Sequence, residues 1–162
     1  AKPIEAGNIF DLGQKFAQDF SIYFQDEKGK KQLVVMGCYG IGISRLMGAL
    51  VEDMPSDDKL TWPINVAPFS VHLTYLGKDE QVKAQTEEVY NLLNQAGIEV
   101  VYDDREASNG EKLGEADLLG MPFRFLIRPK TAGKIEVKNN LDDKIEILDS
   151  QAAVKLVKSA YV

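Results

Sequence analysis

The sequence predicts a mixed α/β protein in two parts, with a smaller α+β piece followed by a larger α/β domain. Three observations predict this fold class. β-rich runs alternate with helical patterns beyond residue 63, a hairpin pattern and a glycine-rich turn precede residue 50, and a break lies between these regions. The break, EDMPSDDKLTWP, carries two prolines and a run of acids without a hydrophobic period. We therefore expect a linker over 54–63 and domains over 1–62 and 63–162.

The first part contains patterns of short strands and helices. The runs NIF and FSIYF are typical of short strands, with a helix expected between them at 13–19. FSIYFQDEKGKKQLVVM predicts a hairpin, because two β-rich runs flank a charged turn that holds Gly29. From Ile41 onwards the apolar residues recur at helical spacing, at positions 41, 43, 46, 47, 50 and 51. This pattern predicts a helix that ends near Asp53.

Beyond the linker, strand and helix patterns alternate. VAPFSVHLTYL, IEVVY and FRFLI predict strands, and KIEVKNNLDDKIEIL predicts a hairpin with strict alternation. Three helices are expected, over 79–96, 110–118 and 149–161. The first is closed by Gly97, and the last is capped by Asp149 or Ser150. We expect a mixed sheet in which the alternation turns Phe123 and Phe125 into the core.

Composition restricts the function classes. The 162-residue chain has one cysteine, Cys38, and one histidine, His72, so a Cys/His metal cluster and a Ser-His-Asp triad are both poorly supported. A single cysteine forms no internal disulfide, which is typical of the reducing cytoplasm. No apolar run is long enough to span a bilayer, and no signal peptide opens the chain. We therefore expect a cytoplasmic protein without a membrane partner or a bound metal.

The charge is acidic overall but unevenly distributed. A formal net charge of −6 argues against indiscriminate binding to nucleic acid. Residues 118–138, in contrast, hold five cations and one anion. Such a strip is typical either of a localised phosphate contact or of a solvated sheet face, and charge alone leaves both interpretations open.

The stretch GCYGIGISRL, residues 37–46, combines three glycines, the single cysteine and Arg45. A glycine turn that leads into a helix leaves backbone N–H groups unpaired at the positive end of the helix dipole, where an anion binds well. Arg45 lies in the first two turns and would add a charge-assisted contact to phosphate or carboxylate. The spacing matches neither the Walker loop nor the dinucleotide fingerprint. Taken alone, the stretch indicates either tight helix–sheet packing or ligand binding.

Two regions of the sequence resemble a known family. MGCYGIGISRL, preceded by IEAGNIFDLGQKF, is similar to the end of the catalytic domain of class II aminoacyl-tRNA synthetases, and specifically of the bacterial-type prolyl-tRNA synthetases. WPINVAPFSVHL and GIEVVYDDREASNGEKLGEADLLGMPFRFLI resemble the anticodon-binding domain of that family. The resemblance covers essentially the whole chain. It implies an antiparallel-sheet remnant of the class II catalytic domain over 1–62 and a mixed-sheet α/β anticodon-binding domain over 63–162.

The resemblance assigns roles to residues of the first part. It makes Arg45 the catalytic contact to the ATP phosphates, and it lets the backbone at Gly40 and Gly42 pass under adenosine. The implied proline-binding residues are Glu5, Gly7, Asn8, Phe10, Gly37 and Cys38. The small thiol of Cys38 suits a pocket for an apolar ring, and a buried, inert thiol is compatible with that role. Asn8 stands where the family has histidine; its amide hydrogen-bonds but does not titrate near neutral pH, and from the sequence alone it is equally well a turn residue.

In the second part the resemblance directs a charged loop and the following helix toward tRNA. The implied anticodon-binding residues are Asp103, Asp104, Arg105, Glu115, Asp117 and Arg124. Carboxylates read the donor edges of guanine or cytosine, and arginine reads guanine acceptors or stacks on bases. For each residue singly, solvation or an internal salt bridge explains its charge as well. Trp62 is expected to pack between the two domains.

The implied protein is a proline–tRNA ligase, which activates proline with ATP and transfers it to proline tRNA. The full-length enzyme is expected to use Mg²⁺ with ATP and to form a homodimer. The first and second motifs of the class are missing from these 162 residues, so we expect the chain to be inactive in adenylation by itself. The alternatives are a non-catalytic, synthetase-like accessory protein that binds tRNA and a generic α/β phosphate-binding or protein-interaction domain.

Overall fold

The structure is a computed structural model that describes residues 3–53, 59–131 and 133–161. The chain divides into two compact units, Ala1–Asp53 and Met54–Val162. Residues 54–58 of the predicted linker lie outside the described residues. None of the described helices is both long and apolar enough to cross a membrane.

The first unit is built from two small antiparallel sheets and two helices. Its elements in chain order are β1 (Gly7–Gly13), α1 (Lys15–Asp19), β2 (Tyr23–Gln25), β3 (Lys31–Leu33), β4 (Met36–Ile41) and α2 (Ile43–Glu52). β1 pairs with β4, and β2 pairs with β3. The turn between β2 and β3 is fixed by Asp26, whose Oδ1 accepts hydrogen bonds from the N–H groups of Lys28 (3.0 Å) and Lys30 (2.8 Å). The predicted hairpin and the two predicted helices of this part are confirmed.

The first unit buries very little apolar surface. Ala17 is the one fully buried hydrophobic residue among those the structure describes in this unit. Ile9, Tyr39 and Ile43 remain 89%, 81% and 80% exposed. An isolated two-stranded sheet is marginally stable in water, because it buries too little apolar area to offset the ordering of its chain. Apolar side chains of this unit, which a strand pattern would place in a core, therefore remain exposed to solvent.

The second unit contains one five-stranded mixed sheet and three α-helices. Its elements are β5 (Val71–Tyr75), α3 (Glu80–Gln95), β6 (Val100–Asp103), α4 (Asn109–Leu119), β7 (Phe123–Ile127), a short 3-10 turn (Pro129–Thr131), β8 (Ile135–Asn139), β9 (Lys144–Leu148) and α5 (Ser150–Ser159). The strand order is β6-β5-β7-β8-β9. β6, β5 and β7 run parallel, while β8 and β9 complete the sheet as an antiparallel pair. The mixed sheet expected from the sequence is confirmed.

The core of this unit lies between the sheet and the helices α3 and α5. Phe123 and Phe125 are 1% and 0% exposed, as the strand alternation predicted. They pack with buried residues of both helices, among them Leu93 and Val157. Asp79 and Asp149 cap the two helices by accepting backbone N–H groups in their first turns. A complete apolar layer therefore supports the parallel strands from one side.

The opposite face of the sheet is polar and is covered in part by α4. Alternation places His72, Arg124 and Lys138 on this face, and register puts His72 beside Arg124 and Arg124 beside Lys138. Asp117 of α4 reaches both cations, at 3.1 Å from Arg124 Nη1 and 4.0 Å from Lys138 Nζ. Arg124 and Lys138, two of the five cations that the sequence shows at 118–138, are thus paired with an acid on a sheet face.

A short segment, residues 59–62, binds along the second unit and is called the strap below. The N–H of Trp62 donates to the carbonyl of Gly120 (2.9 Å), and its Nε1–H donates to the carbonyl of Leu119 (3.1 Å). Lys59 Nζ forms an ion pair with Asp143 at 2.8 Å. Gly120 has φ of +66°, and a Cβ there would lie 2.5 Å from the carbonyl oxygen of Leu60. The hydrogen bonds of Trp62 therefore belong to the second unit, against the end of α4.

Candidate functional site

The β1–β4 pair organises the residues predicted to bind proline and ATP. Asn8 is opposite Gly40, and Phe10 is opposite Cys38. Directly paired residues share a face of an antiparallel sheet, so Asn8, Phe10 and Cys38 lie on one face with the backbone of Gly40 between them. Gly7 and Gly37 occupy the alternate positions, opposite Ile41 and Asp11. The predicted set is therefore divided between the two faces, and Cys38 is exposed in this structure rather than buried.

The glycines near the β1–β4 pair differ in whether packing requires them to be glycine. A Cβ on Gly7 would lie 2.9 Å from the carbonyl oxygen of Gly40, so glycine is required where β1 approaches β4. A Cβ on Gly42 would lie 3.4 Å from Cβ of Arg45, which is ordinary van der Waals contact. At Gly40, in contrast, a Cβ would meet none of the described atoms within 4 Å. Packing within the described chain therefore does not explain the glycine at position 40.

Arg45 lies in the first turn of α2, whose N-terminus has Gly42 as its cap residue and no side-chain capping bond. Its Nη1 donates to Oε1 of Glu5 at 2.8 Å and to the Glu5 carbonyl at 3.1 Å. Asn8 Nδ2 donates to the same Oε1 at 2.9 Å. These hydrogen bonds, first from Asn8 and then from Arg45, hold the pKa of the Glu5 carboxyl below its usual value. Three residues predicted to bind two different ligands, Glu5 and Asn8 for proline and Arg45 for ATP, are therefore in direct contact.

A second candidate site lies at the carboxyl ends of β5 and β6. A cavity of about 540 Å³ opens there between the starts of α3 and α4. Its lining residues are Tyr75, Gly77, Lys78, Asp79, Glu80, Lys83, Arg105, Glu106, Ala107, Ser108, Asn109 and Lys112. Both helix starts are already capped by their own side chains, through Asp79 in α3 and through a reciprocal Ser108–Glu111 capping box in α4. Side chains rather than free helix N-termini therefore supply the charge in this cavity.

Lys112 is the buried cation of the cavity, and it is not among the residues predicted from the sequence. The residue is 3% exposed, its Nζ donates to the carbonyl of Asp103 at 3.1 Å, and it lies 4.0 Å from the ring centroid of Tyr75. Desolvation lowers the pKa of its ammonium group. The sequence carried one signal for it: Lys112 precedes the buried Ala116 by four positions, so both lie on the inward face of α4.

Three of the residues predicted to bind the anticodon form one cluster beside this cavity. Arg105 makes a two-point contact with the buried Asp103, Nε to Oδ1 at 2.8 Å and Nη2 to Oδ2 at 2.9 Å. Its Nη2 also contacts the Glu115 carboxylate. The hydrogen bond from Arg105 lowers the pKa of Asp103, and the pKa of Arg105 is raised in turn. Asp104, the neighbour in sequence, is exposed.

The other two residues of that set, Asp117 and Arg124, lie apart from the cavity. They pair with each other on the polar face of the sheet, where the side chain of Arg124 is 11% exposed. Arg124 is the second residue of β7, about 10 Å before the strand's carboxyl end at Ile127. The structure thus separates the predicted anticodon residues into a cluster beside the cavity and an ion pair on the sheet.

Two family models match the chain, one in each unit. The model described as "Anticodon binding domain" matches residues 65–160. The model described as "tRNA synthetase class II core domain (G, H, P, S and T)" matches residues 1–54. The first of these matches covers more than half of the chain.

Curated relatives are similar over nearly the whole chain. Proline–tRNA ligases of Caldicellulosiruptor saccharolyticus, Persephonella marina and Aquifex aeolicus are 44%, 43% and 40% identical, over 95%, 90% and 96% of this chain. The aligned part amounts to 27%, 26% and 28% of those proteins, so the chain spans about a quarter of their length.

Solved structures agree with the fold. A prolyl-tRNA synthetase from Cryptosporidium parvum, in complex with halofuginone and AMPPNP, has a TM-score of 0.81 and 24% identity, covering 97% of this chain and 34% of that one. The same synthetase with L-proline and AMP gives the same values, with 36% of that chain covered. At this identity the likeness establishes the fold.

Proposed function

This chain belongs to the anticodon-binding-domain family, and we propose that it is the C-terminal portion of a proline–tRNA ligase. The observation that carries the proposal is the 40–44% identity to proline–tRNA ligases along at least nine-tenths of the chain, with a synthetase family model matched in each unit. We assign residues 1–62 to the end of the catalytic domain and 63–162 to the anticodon-binding domain. The strap precedes the second domain in sequence and packs with it.

The reaction requires positioning and charge stabilisation more than a reactive side chain. The proline carboxylate attacks the α-phosphorus of ATP, pyrophosphate leaves, and a hydroxyl of the terminal tRNA ribose then attacks the prolyl carbonyl as AMP leaves. Arg45, at the uncapped start of α2, is suited to the triphosphate because guanidinium and free N–H groups both favour anions. The open space beside Gly40 leaves room for the adenosine on the same sheet face.

The proline pocket is proposed on the face that carries Asn8, Phe10 and Cys38. An aromatic ring and a small thiol suit the apolar pyrrolidine ring, while the Asn8 amide supplies a polar contact. Glycines at 7 and 37 then serve the strand pairing beneath the pocket. Among the described residues no group of three or more His, Cys, Asp or Glu side chains is arranged for a metal ion. We therefore assign Mg²⁺ no ligand in this chain and treat it as a companion of the nucleotide.

For the second unit we propose that the cavity at the ends of β5 and β6 takes a base of the anticodon loop. Lys112 and Arg105 offer donors to acceptor groups on a base edge, and Tyr75 offers a ring to stack on. Asp103 and Glu115 hold Arg105 in a fixed orientation, which suits recognition by hydrogen bonds. Asp104 is exposed and can face RNA directly. On this proposal Asp117 and Arg124 contribute to anticodon binding from the polar face of the sheet, outside the cavity.

The remaining assignments follow from the ligase proposal. The substrates are proline, ATP and proline tRNA, the full-length enzyme is a homodimer, and it works in the cytoplasm. The chain alone lacks two of the three class motifs and is proposed to be inactive in adenylation. A non-catalytic tRNA-binding accessory protein is the second candidate, favoured by one observation: the anticodon-type unit carries the complete core, whereas the unit with Arg45 does not.

Two assays test the proposed function. In the full-length enzyme, Arg45→Ala should remove about 2–4 kcal/mol of transition-state stabilisation, measured as a lower rate of proline-dependent pyrophosphate exchange. Binding of tRNA should stay nearly intact. Exchange within threefold of the parent would leave Arg45 a structural role only. In the chain of residues 1–162, Lys112→Ala should weaken binding to a proline-anticodon stem-loop by about 1–3 kcal/mol, with Lys155→Ala, which removes an exposed cation of α5 outside the cavity, as the control. Equal affinity for a stem-loop with a scrambled triplet would refute anticodon recognition.

A further inference from the structure

We propose that Glu5 is a positioning residue that holds the Arg45 guanidinium in place for the triphosphate, with Asn8 holding Glu5 in turn. The inference rests on the proposed ligase function and deepens it, because it assigns Glu5 to the nucleotide side of the site rather than to the proline pocket. It follows from three contacts that converge on one residue.

The contacts use both parts of Glu5. Its carboxylate Oε1 lies 2.8 Å from Arg45 Nη1, and its backbone carbonyl lies 3.1 Å from the same nitrogen. Asn8 Nδ2, at 2.9 Å from Oε1, fixes the carboxylate from the other side. Among the described residues, both contacts of the guanidinium with Glu5 use Nη1, so Nε and Nη2 remain for an anion.

The backbone builds this arrangement independently of the three side chains. The N–H of Gly42 donates to the carbonyl of Ala6 at 3.2 Å, which joins the chain just before β1 to the residue that caps α2. Gly7 allows β1 to approach β4 closely, as its required lack of a Cβ indicates. Glu5 is therefore held beside the first turn of α2, where an anionic side chain faces Arg45 across the start of the strand pair.

The physical role is pre-organisation. A free arginine side chain samples many rotamers and loses that freedom when it binds a phosphate group. A charge-assisted bond to Glu5 reduces the number of arginine rotamers before the nucleotide arrives, and the hydrogen bond from Asn8 restricts the carboxylate in turn. The opposite role is a latch, in which Glu5 competes with the triphosphate for Arg45. The two roles differ in the sign of their effect on nucleotide binding.

The test uses the full-length enzyme and steady-state pyrophosphate exchange with ATP and proline varied separately. Glu5→Ala should raise the KM for ATP about tenfold and lower kcat, while the KM for proline changes by less than about twofold. Glu5→Gln keeps an oxygen acceptor for Nη1 and should recover part of the ATP effect. Glu27→Ala, an exposed acid in the β2–β3 turn of the same unit, is the matched control and should leave both constants unchanged.

A double-mutant cycle separates positioning from a merely structural effect. In an Arg45→Ala background, Glu5→Ala should add less than about a further twofold loss, because the residue acts through the arginine. Additive losses, a raised KM for proline with an unchanged KM for ATP, or a lowered KM for ATP would each overturn the proposal. A full-length enzyme that shows no proline-dependent exchange at all would instead refute the proposed function, so the two failures are distinguishable.

Discussion

The two units of this chain differ most in what they bury. In the second unit, the sheet, α3 and α5 enclose a continuous apolar core. In the first unit, Ala17 alone among the described hydrophobic residues is fully buried, and large side chains such as Ile9 and Tyr39 stand in solvent. The second unit has an apolar core of its own, whereas the first has regular backbone geometry without the burial that normally stabilises it.

The two candidate sites therefore differ in what stabilises their geometry. The cavity between α3 and α4 rests on strands that the core of its own unit holds in place. The Glu5–Asn8–Arg45 contacts rest on the β1–β4 ladder and on exposed ion-pair partners, which contribute little free energy in water. Burial under further protein surface would strengthen those contacts by lowering the local dielectric.

The largest effect expected is on the core of the second unit. Phe125→Ala should reduce the free energy of unfolding by about 3–5 kcal/mol, because it deletes a fully buried ring. Its matched control is Ile9→Ala, which removes a side chain that is 89% exposed and should change stability by less than about 0.5 kcal/mol. Urea denaturation of the whole chain measures both. Similar losses from the two substitutions would contradict the contrast drawn between the units.

A smaller effect is expected where the strap packs on α4. Gly120→Ala should cost about 1–3 kcal/mol, since the residue has positive φ and its new Cβ would collide with the Leu60 carbonyl. Gly114→Ala is the control within the same helix, where the exposed position is open and alanine should stabilise by up to about 1 kcal/mol. Thermal unfolding, monitored by circular dichroism, compares the melting temperatures of the two variants. Equal melting temperatures would show that the strap does not hold its position in solution.

The stability of the second unit should depend on pH through a buried histidine, His72. Burial lowers the pKa of His72, whose neighbours include Asp103, which opposes the shift, and Arg124 and Arg105, which reinforce it. The neutral imidazole is thus favoured in the folded state, so its stability contribution is complete above the unfolded pKa of about 6.5 and is lost as pH falls below it. The loss should reach at most about 1.4 kcal/mol per pH unit.

Unfolding experiments between pH 7.5 and 5 measure this slope, and His72→Gln should flatten it. Asp103 gives a separate, lower window, since its pKa is depressed by Arg105: that contribution is present above about pH 3.9 and is lost as pH falls through the folded value. A slope between pH 7.5 and 5 that survives in the His72→Gln variant would assign the effect to other groups.

The smallest effect is expected from removing the first unit. A protein of residues 59–162 should unfold cooperatively with nearly the same urea midpoint as the whole chain, because its core residues all lie within that segment. Backbone amide exchange would compare the protection of β5 and β7 in the two proteins. A midpoint that drops markedly would mean that the exposed first unit stabilises the second.

Much of the fold could be predicted from the sequence, because local patterns determined it. The alternation in β7 identified Phe123 and Phe125 as core positions, the hairpin β8–β9 formed as its pattern predicted, and Asp149 and Gly97 marked helix ends by their capping chemistry. The low burial of apolar side chains in the first unit could not be predicted from local patterns. An apolar strand pattern predicts which side chains favour burial. Tertiary contacts determine whether another surface packs against them.

The candidate sites were predictable to different degrees. The glycine stretch and Arg45 stood out because their composition is unusual for a helix start. Lys112 did not, since lysine is normally a solvated residue and its burial depends on Tyr75 and Asp103 from distant positions. The contact between Glu5 and Arg45 spans 40 residues and depends on the β1–β4 pairing and on the Gly42–Ala6 hydrogen bond, so no local sequence pattern predicts it. These roles remain predictions for the experiments above.

The strand order β6-β5-β7 has a consequence for how the second unit can change. From β5 the chain crosses through α3 to a neighbour on one side, and from β6 it returns through α4 to β7 on the other. The connections thus diverge at β5, a topological switch point, and the diverging helices leave a crevice at its carboxyl end whatever side chains line it. Connectivity provides the cavity, while the lining residues provide its selectivity. Substitutions at the rim can therefore alter the shape and charge of the cavity without disturbing the core that keeps the crevice open.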